Sequence, residues 1–341
     1  MVADHQGGER QAGVIRGLLM KRLLLAGLLA VVSIASASAQ DYPNRPITVI
    51  VPFPAGGPTD AIIRNLGERM RVSLGQPLIV EYVTGASGSV GTTRANRAAP
   101  DGYTIICGHF GTHATNGAVY QLPYDLVTDF TPIALLPRNP YLVVAQKNLP
   151  PNNLREFMAY LKANPGKVNM GHPGVGTGPH LLAIQLANLA GSTMNYIPYR
   201  GSGPAMTDLI AGQIDLMVDQ VQTSSGQIRA GTIKAYAIAA PTRASSAPDV
   251  PTVDEAGAPG LHMSLWYGFW APPGTPAPIV KKLNAAVQDA LGDPEVRARL
   301  TTLGMEIPPR EQQTAEALVA QQKADIAIWW PIIKAAGIKQ Q

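Results

Sequence analysis

Ile47–Val51 is a short apolar run closed at both ends by proline, and with the loop and helix after it this run constrains the fold more than anything else in the chain. Residues 53–58 make a Pro/Gly loop, and Ile62, Ile63, Leu66 and Met70 then fall at helical spacing, with Gly75 as the stop. A short apolar run bounded by turn residues is a buried strand, and a 3.6-residue apolar period is a helix with one covered face. The unit repeats: 77–82 is the next strand, a glycine loop at 85–91 opens a helix through Ala99, and 103–107 is a third strand. Such a succession needs a mostly parallel sheet with helices on its faces. After Pro140 the rhythm restarts. Strands are expected at 141–145, 168–170, 196–198, 215–218 and 233–239, and helices at 154–161, 179–189 and 204–212.

A Pro/Ser/Asp-rich stretch, 241–259, reads as a crossing back to the first unit. The C-terminal part is helical, with Asp293-Pro294 as cap and first turn, Gly304 as a stop, and Ala315, Leu318, Val319, Ile326 and Trp329 on one helical pattern. No internal repeat in the sequence is strong enough to argue from. The expected architecture is α/β, two similar domains with the second inserted into the first: 40–142 with 243–341, and 143–242.

Composition removes several function classes. At 341 residues the chain is too long for one ordinary core. It is 46% apolar, far too much for disorder, and its 34 glycines and 30 prolines are scattered, not periodic, so collagen-like and solenoid folds fall away. The net charge is only +4, with no run of Lys and Arg interleaved with aromatics, so no nucleic-acid partner is expected. One cysteine excludes an internal disulfide and any multi-cysteine metal site.

The N-terminus carries an address. Lys21 and Arg22 precede an apolar run, 23–32, broken only by Gly27, and Ala37-Ser38-Ala39 stands before Gln40. A positive segment, a short apolar segment and an A-x-A site make a secretory signal peptide. The run is too short for a membrane anchor, and no cysteine at the cleavage point supports a lipid anchor. Met20 is the expected start, with the residues before it an over-long reading of the gene. Cleavage removes four basic and two acidic residues and leaves a nearly neutral chain, suited to the periplasm of a Gram-negative bacterium.

Glycine loops between strands and helices carry the chemistry. In Phe53-Pro54-Ala55-Gly56-Gly57-Pro58-Thr59-Asp60, backbone N–H groups are offered to an anion at a helix N-terminus. Asp60 caps that helix, orients Gly56-Gly57, or accepts a bond from ligand or water. Glu81 lies about 20 residues on, as in a dinucleotide site, but G-x-G-x-x-G is missing and three prolines remove donors. Gly174-Val175-Gly176-Thr177-Gly178 has the same placement, with Thr177 either a ligand contact or an N-cap. A third loop, Gly85-Ala86-Ser87-Gly88, offers Ser87 without the G-x-S-x-G of a nucleophile elbow. The fourth holds His109, Thr112 and His113; two histidines four apart without H-E-x-x-H do not make a metal site, and Thr112 is the better polar contact. Arg200, at another strand–helix junction, is either a bidentate carboxylate partner or a solvated charge. No metal, cofactor or catalytic set is expected.

Taken together these pieces resemble one family. Tyr42-Pro43, Pro46-Ile47-Thr48 and the loop 51–60, then 85–91, Pro100-Asp101-Gly102-Tyr103-Thr104, Tyr124-Asp125 with Asp129-Phe130, 174–177 with His180-Leu181, Tyr199-Arg200-Gly201, and Trp266-Tyr267-Gly268 with 271–276, are similar to the periplasmic solute-binding receptors of tripartite tricarboxylate transporters. The resemblance spans the mature chain. It implies a two-domain, type II-like periplasmic binding protein, not an enzyme, that captures a small organic acid by hinge closure. The partners it implies are integral membrane transporter subunits or a sensor kinase, with the receptor itself a monomer.

The resemblance also implies that Ala55 to Gly57 grip a ligand carboxylate partly through ordered water, that Gly176, Thr177 and Gly178 contribute from the other domain, and that Asp219 faces the cleft. Arg200 departs from the family's frequent Lys, and Trp270 from its Phe or Leu; Trp266 and Trp270 line the mouth or pack between domains. Two other classes stay open on residues alone, a periplasmic α/β hydrolase using Ser87 or His109 and a ligand sensor. The expected mature N-terminus is Gln40, read by intact mass of the exported protein; a start before residue 35 overturns the cleavage assignment.

Overall fold

Apolar strands and one-sided helices build a continuous network of hydrogen-bonded strands in the computed structural model, which describes residues 42–338. The expected signal peptide lies outside those residues, and the compact unit that begins at Arg45 holds the strands and helices. The first lobe opens with β1 (Ile47–Val51), α1 (Pro58–Leu74), β2 (Leu78–Tyr82), α2 (Ser89–Asn96) and β3 (Thr104–His109). β1 pairs in parallel with both β2 and β3. Helix α1 buries Ile62, Ile63, Leu66 and Met70, the residues its period marks, and ends at Gly75 in the left-handed region. A π-helical turn, Gly111–Thr115, follows β3.

The next strand, β4, is the main departure from expectation. The apolar pattern places it at 141–145, whereas it runs from Thr131 to Gln146. Pro132, Pro137 and Pro140 hide its first half in the sequence, because proline ordinarily argues against a central strand. Register shifts between Pro132 and Ala134 and between Leu135 and Arg138 accommodate two of them.

The second lobe then follows the expected order: α3 (Leu154–Ala163), β5 (Asn169–His172), α4 (Gly178–Leu189), β6 (Asn195–Pro198), α5 (Ser202–Ile210), β7 (Leu216–Gln220), α6 (Val221–Arg229) and β8 (Ile233–Ile238). Leu142, Val144, Leu209, Met217 and Ile238 lie in its core. The chain returns through β9 (Ser264–Ala271), a strand the Pro-rich context conceals. It ends in α7 (Ala277–Gly292), α8 (Pro294–Thr302) and α9 (Ala315–Ala335). No helix among the described residues is long and apolar enough to cross a membrane.

Strand order reveals a repeat that the sequence hides. The first lobe reads β2-β1-β3-β9-β4 and the second β6-β5-β7-β4-β8. In each, the fourth strand is antiparallel to its neighbours and is the one that enters from the other lobe. This is the two-domain α/β arrangement of a type II periplasmic binding protein. At the crossing, the Ala239 N–H donates to the Tyr141 carbonyl (2.7 Å) and the Met263 N–H to the Ala239 carbonyl (2.9 Å).

The faces of β9 are divided. Trp270 stacks on His113 with ring centroids 3.7 Å apart, and Trp266 Nε1 donates to Asp325 of α9 at 2.6 Å. Both tryptophans are buried in packing contacts. Asp293 caps α8 as its sequence suggests, accepting from the Glu295 and Val296 N–H groups. Asp293→Ala is expected to cost about 1 kcal/mol of stability, read from urea unfolding; an unchanged midpoint at unchanged slope refutes the cap's contribution.

Candidate functional site

The loop after β1 is shaped by a buried carboxylate. Asp60, in the first turn of α1, accepts from the Gly56 N–H (2.8 Å), the Tyr82 hydroxyl (2.7 Å) and Arg64 Nε (3.0 Å). Burial alone would raise its pKa; these hydrogen bonds outweigh that and hold it below the usual carboxylate range. Asp60 therefore orients the loop from behind, while Ala55 and Gly56 are exposed and Gly57 half-exposed at the helix start. Pro58 and the first-turn residues Thr59 and Asp60 begin a helix whose first N–H groups have no intrahelical acceptor. Phe53 stacks on His109 at 4.5 Å, and His109 meets Tyr267 edge-on at 5.9 Å.

The fourth loop is held from within. Thr112 is fully buried, its hydroxyl oxygen accepting from the His109 N–H at 2.9 Å and lying 2.9 Å from His113 Nδ1. Thr112 thus sits behind the loop, away from solvent. His109 Nδ1 accepts from the Gly111 N–H at 2.9 Å, and burial lowers its pKa to about 3. Ser87 occupies the left-handed region (φ 50°) and its hydroxyl oxygen accepts from Tyr120 at 2.8 Å. Among the described residues Ser87 and His109 share no hydrogen bond, so the pairing a hydrolase needs is not formed.

From the second lobe comes the loop between β5 and α4. Thr177 Oγ1 donates to the Gly174 carbonyl at 2.7 Å, bracing the turn, and the Gly176 N–H donates to His180 Nδ1 at 3.1 Å. That bond requires neutral imidazole at Nδ1. Burial first, then the neighbouring His172 stacked at 4.3 Å, lowers the His180 pKa to about 3. The loop reaches across to the first lobe: a Cβ at Gly174 would lie 3.3 Å from Ser87 Oγ, and one at Gly176 would run into Val119 Cγ2. Gly176 also has φ +75°, where a side chain is strained. The loops at 85–88 and 174–178 therefore meet, and Phe53 of the first loop lies against Gly88.

Two further predicted residues belong to the second lobe. Arg200 is exposed at the start of α5. Asp219, at the end of β7, is buried; desolvation raises its pKa, although it accepts from Thr223 (2.6 Å) and Ser224 (2.8 Å). Other polar groups escape a reading of the sequence. Asn139 on β4 and Tyr267 on β9 are fully buried, and Asn139 Nδ2 and Oδ1 and the Tyr267 hydroxyl have no hydrogen-bond partner among the described residues. Each such group costs roughly 1–3 kcal/mol. Both lie in strands masked by proline or read as packing, so only their polarity in an apolar context could have flagged them.

The pattern of a Tripartite tricarboxylate transporter family receptor matches residues 62–338. The chain belongs to this family. A curated relative from Agrobacterium vitis, a UPF0065 protein encoded in the TAR-I ttuE–ttuC′ intergenic region, is 40% identical over 303 residues, covering 88% of this chain and 87% of its own. Among solved structures, the periplasmic binding protein BugD is 42% identical with a TM-score of 0.80, covering 88% of this chain and all of its own. MatC from Rhodopseudomonas palustris, with bound malate, is 42% identical with a TM-score of 0.79, covering 86% and 100%. The family consists of receptors, and this member is a solute-binding protein with no catalytic role.

The buried imidazoles make stability acid-sensitive. His109 and His180 stay neutral in the fold down to about pH 3, whereas the unfolded chain protonates them near 6.5. As pH falls below about 6.5 the unfolded state takes up protons the folded state refuses, so stability declines toward pH 3. Urea midpoints from pH 7 to 4 are expected to fall, and less steeply in His180→Gln; equal slopes would refute the assignment.

Proposed function

We propose that the protein is a periplasmic receptor that captures a small carboxylate between its lobes and delivers it to an integral membrane transporter of the tripartite tricarboxylate class. The observation that carries this reading is the meeting of two glycine loops from opposite lobes, 85–88 and 174–178, each opening a helix. Helix N-termini supply N–H donors and a favourable dipole for an anion. In this reading one carboxylate lies against Ala55, Gly56, Gly57 and Thr59, with Phe53 and Ser87 beside it. Gly176, Thr177 and Gly178 close over it from the second lobe. His109 and Thr112 brace the first wall, Asp60 sets its loop, and Asp219 and Arg200 bound the second lobe's side.

The domain boundaries we assign are 40–142 with 243–341, and 143–242; the crossing near Tyr141, Ala239 and Met263 supports them. MatC's bound malate supports a small carboxylic acid as the ligand class. Delivery to a transporter rests on the family, and the same closure would serve a sensor kinase.

Thermal shift and calorimetry on the chain from Gln40, stripped of carried-over ligand, test the reading. Small carboxylic acids are expected to raise the midpoint and to shrink the radius of gyration in solution scattering. Gly176→Val, whose side chain collides with Val119 on closing, is expected to block the shrinkage. Silence across di- and tricarboxylates, aromatic acids and amino acids on folded protein overturns it.

A further inference from the structure

The sheet face opposite α9 carries polar side chains among apolar ones. His109 and Tyr267 are direct partners across β3 and β9, and Asn139 and Leu265 across β4 and β9. Side chains two residues apart on a strand share a face, so Leu265 and Tyr267 point the same way, and Asn139 and Tyr141 point with them. Trp266, paired with Arg138, points to the other face, where it meets Asp325 of α9.

The two ends of this polar face reach the two loops of the cleft. At one end the row Tyr267–His109–Phe53 runs into the first loop. At the other, a Cβ on Gly178 would strike the Tyr141 hydroxyl, which places Tyr141 under the second loop. Asn139 and Tyr267 lie between, each wholly buried, with three polar atoms that find no partner among the described residues. Gln220, the partner of Tyr141 across β7, reaches toward the Tyr267 hydroxyl without completing a hydrogen bond. Buried polar groups are almost always paired, and those that are not ask for a partner.

Resting on the carboxylate-receptor reading, we propose that Asn139 and Tyr267 form the floor of the binding cleft and select a carboxylic acid that also bears a hydroxyl group. An amide presents one donor and one acceptor face, and a phenol can do either. The group that satisfies both is one that itself donates and accepts, which a hydroxyl does. A second carboxylate offers no donor when ionised, and the neutral His109 supplies it no charge. A methylene in the same place leaves the amide and phenol unpaired, and a site built to hydrogen-bond a hydroxyl discriminates strongly against the analogue without one.

Matched acids test this: malate against succinate, lactate against propionate, and 3-hydroxybutyrate against butyrate, by calorimetry on the ligand-stripped chain from Gln40. The wild type is expected to favour the hydroxylated member of at least one pair by tenfold or more. Asn139→Leu, close in shape and apolar, and Tyr267→Phe, which deletes one oxygen, are expected to bring that ratio near one while raising the thermal midpoint of the ligand-free protein. Should Asn139→Leu fail to fold, Tyr267→Phe carries the test alone. A wild type that binds acids without discrimination, or variants that keep the wild-type ratio, overturn this inference and leave the receptor reading standing. Silence of the wild type toward every acid overturns both.

Discussion

The molecule depends on one strand belonging to two sheets. β4 enters beside β9 in the first lobe and leaves between β7 and β8 in the second. Its backbone N–H and C=O groups must be satisfied in both, because an orphaned buried amide is expensive. The lobes are therefore tied at their hydrogen-bonded centre, and the chain crosses between them at two places, near Tyr141 and in the returning stretch before β9. A hinge made this way allows rotation without separation. It also places the residues of the crossing, Asn139 among them, at the base of the cleft that rotation opens and closes.

In the proposed cleft, charge would be handled by dipoles more than by ions. Asp60 is already engaged by Arg64, Tyr82 and the Gly56 amide, and Arg200 is at the surface. The histidines nearest the loops are held neutral by burial. An anion bound here would meet N–H groups whose strength grows as water leaves, since the local dielectric falls. Affinity then depends on how closely the lobes approach. That explains the bare Cα at position 176: at the point of contact with Val119, even a methyl group would hold the lobes apart.

Much of this was legible in the sequence. The strand–loop–helix rhythm is written in apolar runs of two lengths, and each glycine loop lies where that rhythm put it. The loops' convergence was not legible, because it depends on tertiary contacts between Gly174 and Ser87 and between Gly176 and Val119. Nor was β9, which lies in a Pro-rich context, nor the first half of β4, where proline, normally a strand breaker, is accommodated by register shifts. The twofold repeat of strand order escaped for a related reason: it is carried by pairing across the hinge, which leaves no period in the chain. Thr112 illustrates the limit for single residues. Its hydroxyl suits a ligand on paper, yet it is spent on His109 and His113.

Asn139 shows what a linear reading misses and why it matters. In sequence it is one asparagine between an arginine and a proline, the composition of a turn. In the fold it is a buried amide in the middle of a sheet, next to a phenol that also lacks a partner. Replacing either with an apolar residue would relieve a cost to the empty protein. Retaining them makes sense only if the cost is recovered in another state, and the state available to a hinged receptor is the liganded one. Instability in the empty cleft and selectivity in the filled one are then the same interaction, seen from the two ends of a binding cycle.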